Sequence, residues 1–181
     1  MTVAVFVDTN ILVYARDASE PAKRARATAW LEFLWREQSG RTSVQVLSEY
    51  YATLTRRLQP RVPSSEAWDA VSALLTWHPQ ATDGAVLQRG REIEQRYGLN
   101  WWDCLVVAAA QLQGCALLLS EDLQDGGVYG GVTVRSPFTL SADEPIATYA
   151  VTPSVVGYRP RGRPKRSAQD RGRGRAEPLP R

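Results

Sequence analysis

A chain of 181 residues, 44% hydrophobic and 23% charged, has material for one ordinary globular core and little more. Its net charge of +3 is unevenly spread: Arg159 to Arg181 holds eight Arg and one Lys against Asp170 and Glu177, a net of +7, so residues 1–158 hold 13 basic and 17 acidic residues, a net of −4. The pI near 9.1 therefore belongs to the tail and is no evidence that the body binds nucleic acid. Nothing approaches the roughly 18 consecutive apolar residues of a membrane span, and Val3–Val7 has no basic flank, so the expectation is a soluble, cytoplasmic protein.

Val3 to Val7 is a short apolar, β-branched run ending in Asp8-Thr9-Asn10, which predicts a buried strand and then a helix start, with Ile11 to Arg16 as first turns. A second helix is predicted from Pro21, tolerated in a first turn, to about Gln38, with Gly40 beyond its end. Thr42 and Ser43 lead into a third, Val44 to about Leu58, closed by Pro60 and Pro63. Ser64 and Ser65 begin a fourth, in which Trp68, Val71, Leu74 and Leu75 repeat at helical spacing before Pro79. Asp83 can cap a fifth helix running to Tyr97, stopped by Gly98, and a sixth runs from Trp101 or Trp102 to about Gln113. Ala116–Leu119 and Val132–Val134 read as short strands, with the pairs Gly126-Gly127 and Gly130-Gly131 marking turns between them. Cys104 and Cys115 lie in apolar stretches and lack the spaced partners of a zinc site, so buried reduced thiols are expected. Short buried strands separated by amphipathic helices imply an α/β fold, a parallel sheet with helices on both faces.

In such sheets ligands sit beyond the carboxyl ends of the strands. Asp8 follows the first strand and Asp122 follows the Ala116–Leu119 strand by a short turn. Asp103 lies in the first turn of the sixth helix, where a carboxylate is favoured. Glu49 sits one turn after Gln45 in the third helix, among Val46, Leu47, Tyr50 and Leu54, and an acid so close to an apolar face needs a partner. Each acid alone has an ordinary explanation as a cap, a turn residue or a solvated charge. Together they form a cluster whose repulsion is costly unless cations neutralise it, and hard Mg²⁺ or Mn²⁺ ions prefer such carboxylate oxygens.

These segments carry a family resemblance. Val5-Phe6-Val7-Asp8-Thr9-Asn10 is similar to the opening motif of PIN domains, Ser43-Val44-Gln45-Val46-Leu47-Ser48-Glu49-Tyr50-Tyr51 to their second acidic motif, Trp102-Asp103 with its Ala-rich helix to the third, and Leu118-Leu119-Ser120-Glu121-Asp122-Leu123 to the fourth. The match keeps its order from about Thr2 to Phe138. It implies a PIN-like nuclease domain at 1–141 whose catalytic and metal-holding residues are Asp8, Glu49, Asp103 and Asp122, with Thr9, Asn10 and Ser120 orienting them. It further implies a Mg²⁺-dependent (or Mn²⁺-dependent) ribonuclease resembling the VapC-type toxins of VapBC toxin-antitoxin pairs, with RNA as substrate, a VapB-type antitoxin and a second copy of the chain as partners. The helices around Trp30–Trp35 and Tyr50–Leu54 are the expected contact surfaces.

Other mechanisms fit less well. The single histidine, His78, lies at a predicted helix end in Trp77-His78-Pro79, which excludes a two-histidine ribonuclease, and no phosphate-cradling Gly-rich loop is present. A phosphatase of the haloacid dehalogenase type wants a second aspartate two residues after the first, where this chain has Asn10. A non-catalytic nucleic-acid-binding protein is the remaining alternative. Trp30, Trp35 and Trp68 are expected in the core or a dimer interface, whereas Trp101 and Trp102 adjoin Asp103 and suit a substrate groove.

Residues 142–181 differ in kind: rich in Pro and Arg-Gly, with almost no apolar periodicity, they read as an extension that is disordered from roughly Ser154. Within it Arg161-Gly162-Arg163-Pro164-Lys165, followed by Arg166, resembles the core of an AT-hook, in which Arg side chains enter a narrow A·T minor groove; a generic polybasic arm explains the same residues, so DNA contact through the tail stays open beside RNA. If about five tail charges meet phosphates of a single strand, log affinity should fall with log salt at a slope of about −3.5. Truncation after Tyr158 should remove most of that slope in a salt titration on RNA; equal slopes for the two proteins would show that the tail touches no nucleic acid.

Overall fold

The computed structural model describes residues 3–140. The expected tail, its AT-hook-like segment and the boundary near residue 142 lie outside the described residues. The elements in chain order are β1 (Val5–Val7), α1 (Thr9–Tyr14), α2 (Pro21–Arg36), β2 (Gly40–Arg41), α3 (Val44–Arg56), α4 (Ser64–Leu74) with a 3₁₀ turn at Leu75–Trp77, α5 (Gly84–Tyr97), α6 (Trp101–Leu112), β3 (Leu117–Leu119), β4 (Val128–Tyr129) and β5 (Val132–Arg135).

The sheet order is β2-β1-β3-β5-β4, with β2, β1, β3 and β5 parallel and β4 antiparallel to β5. All residues of β1 and β3 have 0% exposure. Because successive strand side chains point to opposite faces, this means that both faces of the central sheet are covered, as a parallel sheet requires. The connections leave β1 toward β2 on one side and return to β3 on the other. The chain therefore reverses direction between β1 and β3, and the carboxyl ends of these two strands flank the crevice where α/β sheets bind ligands.

Local signals account for most boundaries. Asp83 accepts from the backbone N–H groups of Ala85 and Val86 at the start of α5, and Gly98 ends that helix at φ 67°. Ser43 caps α3 through Val46 N–H, and Asn100 caps α6 through Asp103 N–H. In α6 every residue from Cys104 to Ala110 is buried, so this helix is the centre of one layer. It lies close to α5, where a Cβ on Gly90 would meet Leu105 Cδ2 at 2.9 Å. Cys104 and Cys115 are free and buried as expected, and burial holds both thiols well above their ordinary range.

Several expectations need correction. α1 begins at Thr9, since Asp8 is itself the cap, and α2 ends at Arg36. The strand β2 has no apolar run to announce it; Gly40-Arg41 is extended because it pairs with Val5-Phe6. Gly130 and Gly131, at φ 58° and 94°, do form a turn, but a two-residue hairpin turn joining β5 to the unanticipated β4. Within the helices expected to receive partners, Trp30, Leu34 and Leu54 are at most 1% exposed and Tyr50 4%, so the apolar surface they offer lies only at their outer positions, such as Trp35. Of the tryptophans expected in a core or dimer interface, Trp30 is in the core, whereas Trp35 and Trp68, at 42% and 56% exposure, are not core residues. Trp35 stacks on buried Trp77 with ring centroids 5.1 Å apart. Among the described residues no helix is long and apolar enough to cross a membrane.

Gly40 shows how tightly β2 is held: a Cβ there would lie 2.6 Å from three atoms of the Trp77 ring. Gly40→Ala should therefore cost about 1–3 kcal/mol in urea unfolding. In a Trp77→Leu background the same change should cost measurably less, because the clashing ring is gone. An equal cost in both backgrounds would show that the contact is not what selects glycine.

Candidate active site

Parallel pairing aligns Val7 with Leu119, so the residues that follow them, Asp8 and Ser120, leave the sheet side by side. Asp8 N–H donates to Leu119 O at 3.0 Å, and Ser120 Oγ donates to Asp8 Oδ2 at 2.7 Å. The other carboxylate oxygen, Oδ1, accepts from Thr9 N–H at 2.7 Å at the start of α1. One turn of chain thus supplies a strand end, a helix cap and a buried acid.

Asn10 ties this acid to its neighbour. Its Nδ2 lies 2.9 Å from Asp122 Oδ2 and 3.3 Å from Asp8 Oδ2, and Glu121 N–H donates to its Oδ1 at 3.4 Å. Ser120 Oγ in turn accepts from Asp122 N–H at 3.2 Å, fixing the loop after β3. Glu49 arrives from α3, its Oε2 accepting from Thr9 Oγ1 at 3.2 Å and its Oε1 from Gln45 Nε2 at 3.1 Å. Asp103 comes from the first turn of α6 and is hydrogen-bonded to the Asn100 amide. Thr9, Asn10 and Ser120 therefore contact the acids, and each acid has a hydrogen-bond donor.

The acids act on one another through their charges. Burial, with the negative charges of Asp122 and Asp103 adding to it, pushes the Asp8 carboxyl up to about 6 against the donations from Ser120 and Thr9. Asp103 is likewise raised, first by burial and then by Asp122 and Glu49, against the hydrogen bond from Asn100. No ion pair between described residues includes Asp8, Glu49, Asp103 or Asp122. An all-oxygen donor set with uncompensated charge fits a hard divalent cation. Among the described residues no three His, Cys, Asp or Glu side chains converge closely enough to enclose an ion as they stand. The Asn10 amide lies between Asp8 and Asp122, donating to both.

The sequence is matched by the family model of the PIN domain over residues 5–124, well over half of the chain. The chain belongs to the PIN domain family. Two solved structures share the architecture of this PIN domain. One is a toxin-antitoxin complex from Klebsiella pneumoniae, at TM-score 0.53 and 22% identity over 74% of this chain and 97% of that one. The other is VapC20 of Mycobacterium tuberculosis, a sarcin-ricin loop cleaving toxin, at TM-score 0.50 and 19% identity over 72% of this chain and 99% of that one. No curated protein matches the sequence. At these identities the likeness speaks to fold. Membership in the family sets aside the phosphatase alternative, and the residue that departs from that alternative, Asn10, has a use of its own in the PIN domain as the bridge between two acids.

Sequence reading missed a supporting network. Lys23 Nζ lies 2.6 Å from Glu121 Oε1 and 3.0 Å from Tyr14 Oη, and Tyr14 Oη donates to Glu121 Oε2 at 2.6 Å. Burial raises Glu121, but Lys23 and Tyr14 outweigh it and hold the carboxyl below its usual range. This clamp anchors the loop that carries Ser120 and Asp122. Nothing in the spacing of Tyr14, Lys23 and Glu121 signals it; the Gln45-Glu49 and Asn100-Asp103 pairs, by contrast, sit at helical spacings that a search for local partners finds. Of the two adjacent tryptophans, Trp101 packs against the core while Trp102, at 62% exposure, stands free beside Asp103.

The raised Asp8 carboxyl has a stability consequence whose sign is fixed. Between about pH 4 and 6 the unfolded chain has released the proton that the folded chain still holds, so stability falls as pH rises through this window. The shift corresponds to about 3 kcal/mol, from which a lost hydrogen bond at the substituted side chain takes about 1 kcal/mol. Asp8→Asn, which keeps a capping oxygen, should therefore be about 2 kcal/mol more stable than the native chain at pH 7 in EDTA and no more stable below about pH 4. Denaturant titrations across that range decide it; a native chain as stable as the variant at pH 7 would refute the charge assignment.

Proposed function

We propose that this PIN domain is a divalent-metal-dependent endoribonuclease acting in the cytoplasm, the toxin of a toxin-antitoxin pair. The observation that carries the reading is that four carboxylates, Asp8, Glu49, Asp103 and Asp122, lie within electrostatic reach of one another beyond the strand ends and have no ion-pair partner among the described residues. The two structural neighbours, whose descriptions name a toxin-antitoxin complex and a toxin that cleaves the sarcin-ricin loop, support the substrate class and the partner.

Asp8, Asp103, Asp122 and Glu49 would hold Mg²⁺ or Mn²⁺, which when bound lowers the pKa of a water and offsets negative charge on the phosphoryl oxygens. The chain's own contribution is orientation. Ser120 and Thr9 fix both oxygens of Asp8, Asn10 bridges it to Asp122, Gln45 and Thr9 aim Glu49, and Asn100 aims Asp103. Burial of Asp8 at the floor keeps bulk water from that side of the site. An RNA phosphodiester is a dianion-like centre in its transition state, and without cations this crevice repels it.

An unrestrained ribonuclease damages the cell that makes it, so the reading includes a VapB-type antitoxin and a second copy as partners. Trp68 at 56% and Leu75 at 46% exposure lie seven residues apart, about two helical turns, and supply apolar surface that stays exposed among the described residues.

The test is cleavage of total RNA and of defined single-stranded and hairpin RNAs. Asp103→Asn and Asp8→Asn should each lower turnover roughly a hundredfold or more with the fold retained by circular dichroism. Excess EDTA should abolish cleavage and added Mg²⁺ or Mn²⁺ restore it. Undiminished cleavage by either variant, or in EDTA, would overturn the proposal.

A further inference from the structure

A cleft of about 540 Å³ opens from the acid site between α1 and α3, with Glu49 and Asp122 at one end and Arg56 and Arg57 at the other. Glu49, Thr53 and Arg56 fall on one stripe of α3 at helical spacing, and all three line the cleft. Seven residues of helix separate Glu49 from Arg56, about 10.5 Å along the axis. The cleft therefore changes sign along its length, from carboxylates at the reacting end to guanidinium groups two turns away.

The arginines are free to act. Both are exposed, and neither forms an ion pair with a described residue, whereas Arg16, Lys23, Arg36, Arg89, Arg91 and Arg135 all do. Arg56 stands in the last turn of α3 and Arg57 is its C-cap, where cations complement the carbonyl end of the helix; that accounts for their charges but not for both side chains lining the cleft that leads to the acids. A strand of RNA entering an acidic body with a net of −4 must be held by cations near the site. Guanidinium groups suit this task because their forked donors match phosphate oxygens in pairs.

We propose that Arg56 and Arg57 form a phosphate subsite for the RNA backbone, holding a phosphate adjacent to the scissile one so that the strand lies along the α1–α3 cleft. The inference rests on the ribonuclease reading above and adds the path of the substrate. The two arginines are binding residues: they act on the strand away from the bond that breaks, equally in the ground and transition states, and so govern KM rather than kcat.

The experiment uses the full chain. On a single-stranded RNA that the native protein cleaves, Arg56→Ala/Arg57→Ala should raise KM about tenfold and leave kcat within about twofold. Binding is read separately in an Asp8→Asn background, where a labelled mixed-sequence single-stranded RNA stays intact. There the double variant should flatten the plot of log affinity against log salt by about 1.4, two phosphate contacts on a single strand. Arg56→Lys/Arg57→Lys, which keeps the charge at the helix end and guards against a folding defect, should retain the salt slope. Arg89→Ala/Arg91→Ala removes the same charge from the exposed face of α5 and should change neither quantity. An unchanged KM and slope in the Arg56/Arg57 double Ala variant, or an equal change in the α5 variant, would overturn the subsite while leaving the ribonuclease reading intact. A fall in kcat at constant KM would overturn it as well. A native chain that neither binds nor cleaves single-stranded RNA would overturn both.

Discussion

A carboxylate only 6% exposed at the end of a wholly buried strand is tolerated when donors surround it, and the rest of the site is organised around meeting that requirement for Asp8. Ser120 comes from the neighbouring strand, Thr9 N–H from the helix that Asp8 caps, and the Asn10 amide from the same first turn. The Ser120 donor is placed by the parallel register of β1 on β3, whereas Thr9 and Asn10 simply follow Asp8 in the chain. A one-residue slip would point Asp8 and Ser120 to different faces and cost the buried acid its donor from β3. Register and site are thus one constraint seen from two sides.

The donors do not fully offset the burial, which, with the charges of Asp122 and Asp103 adding to it, keeps the Asp8 carboxyl above its ordinary range. In a purely structural role this arrangement would be replaced to advantage by Asn or Ser. Its energetic cost is intelligible at a site that receives positive charge from outside, where burial strengthens every electrostatic contact. The clamp of Lys23, Tyr14 and Glu121 serves the same end by anchoring the loop after β3, against the repulsion that Asp122 meets there.

Charge is separated on two scales. Within the body, the α1–α3 cleft runs from Glu49 and Asp122 to Arg56 and Arg57. Along the chain, an acidic segment of net −4 precedes a tail of net +7. On the proposed reading, a polyanionic substrate would meet attraction away from the bond to be cut and repulsion at it, so cation loading would control the chemistry and the arginines capture.

The sequence alone determined the features that depend on neighbours in the chain. The caps Ser43 and Asp83 and the stop at Gly98 are each legible because a helix end satisfies its own backbone within a few residues. The α/β class, the four acids and the contacts of Thr9, Asn10 and Ser120 followed from short apolar runs ending in polar motifs and from their resemblance to a family. What sequence periodicity did not carry is what depends on a distant partner. Gly40-Arg41 is a strand only because β1 lies beside it, and Val128-Tyr129 only because β5 folds back on it. Trp30 is internal and Trp68 is not, although both stand in helices, because whether an indole is covered depends on which elements pack over it. The same holds for the tie of Lys23 to Glu121 across 98 residues and for the two arginines that share a cleft with the acids. Chain-local interactions leave a signature at a fixed spacing, whereas packing between remote segments is decided by the geometry of the whole fold, which no local spacing encodes.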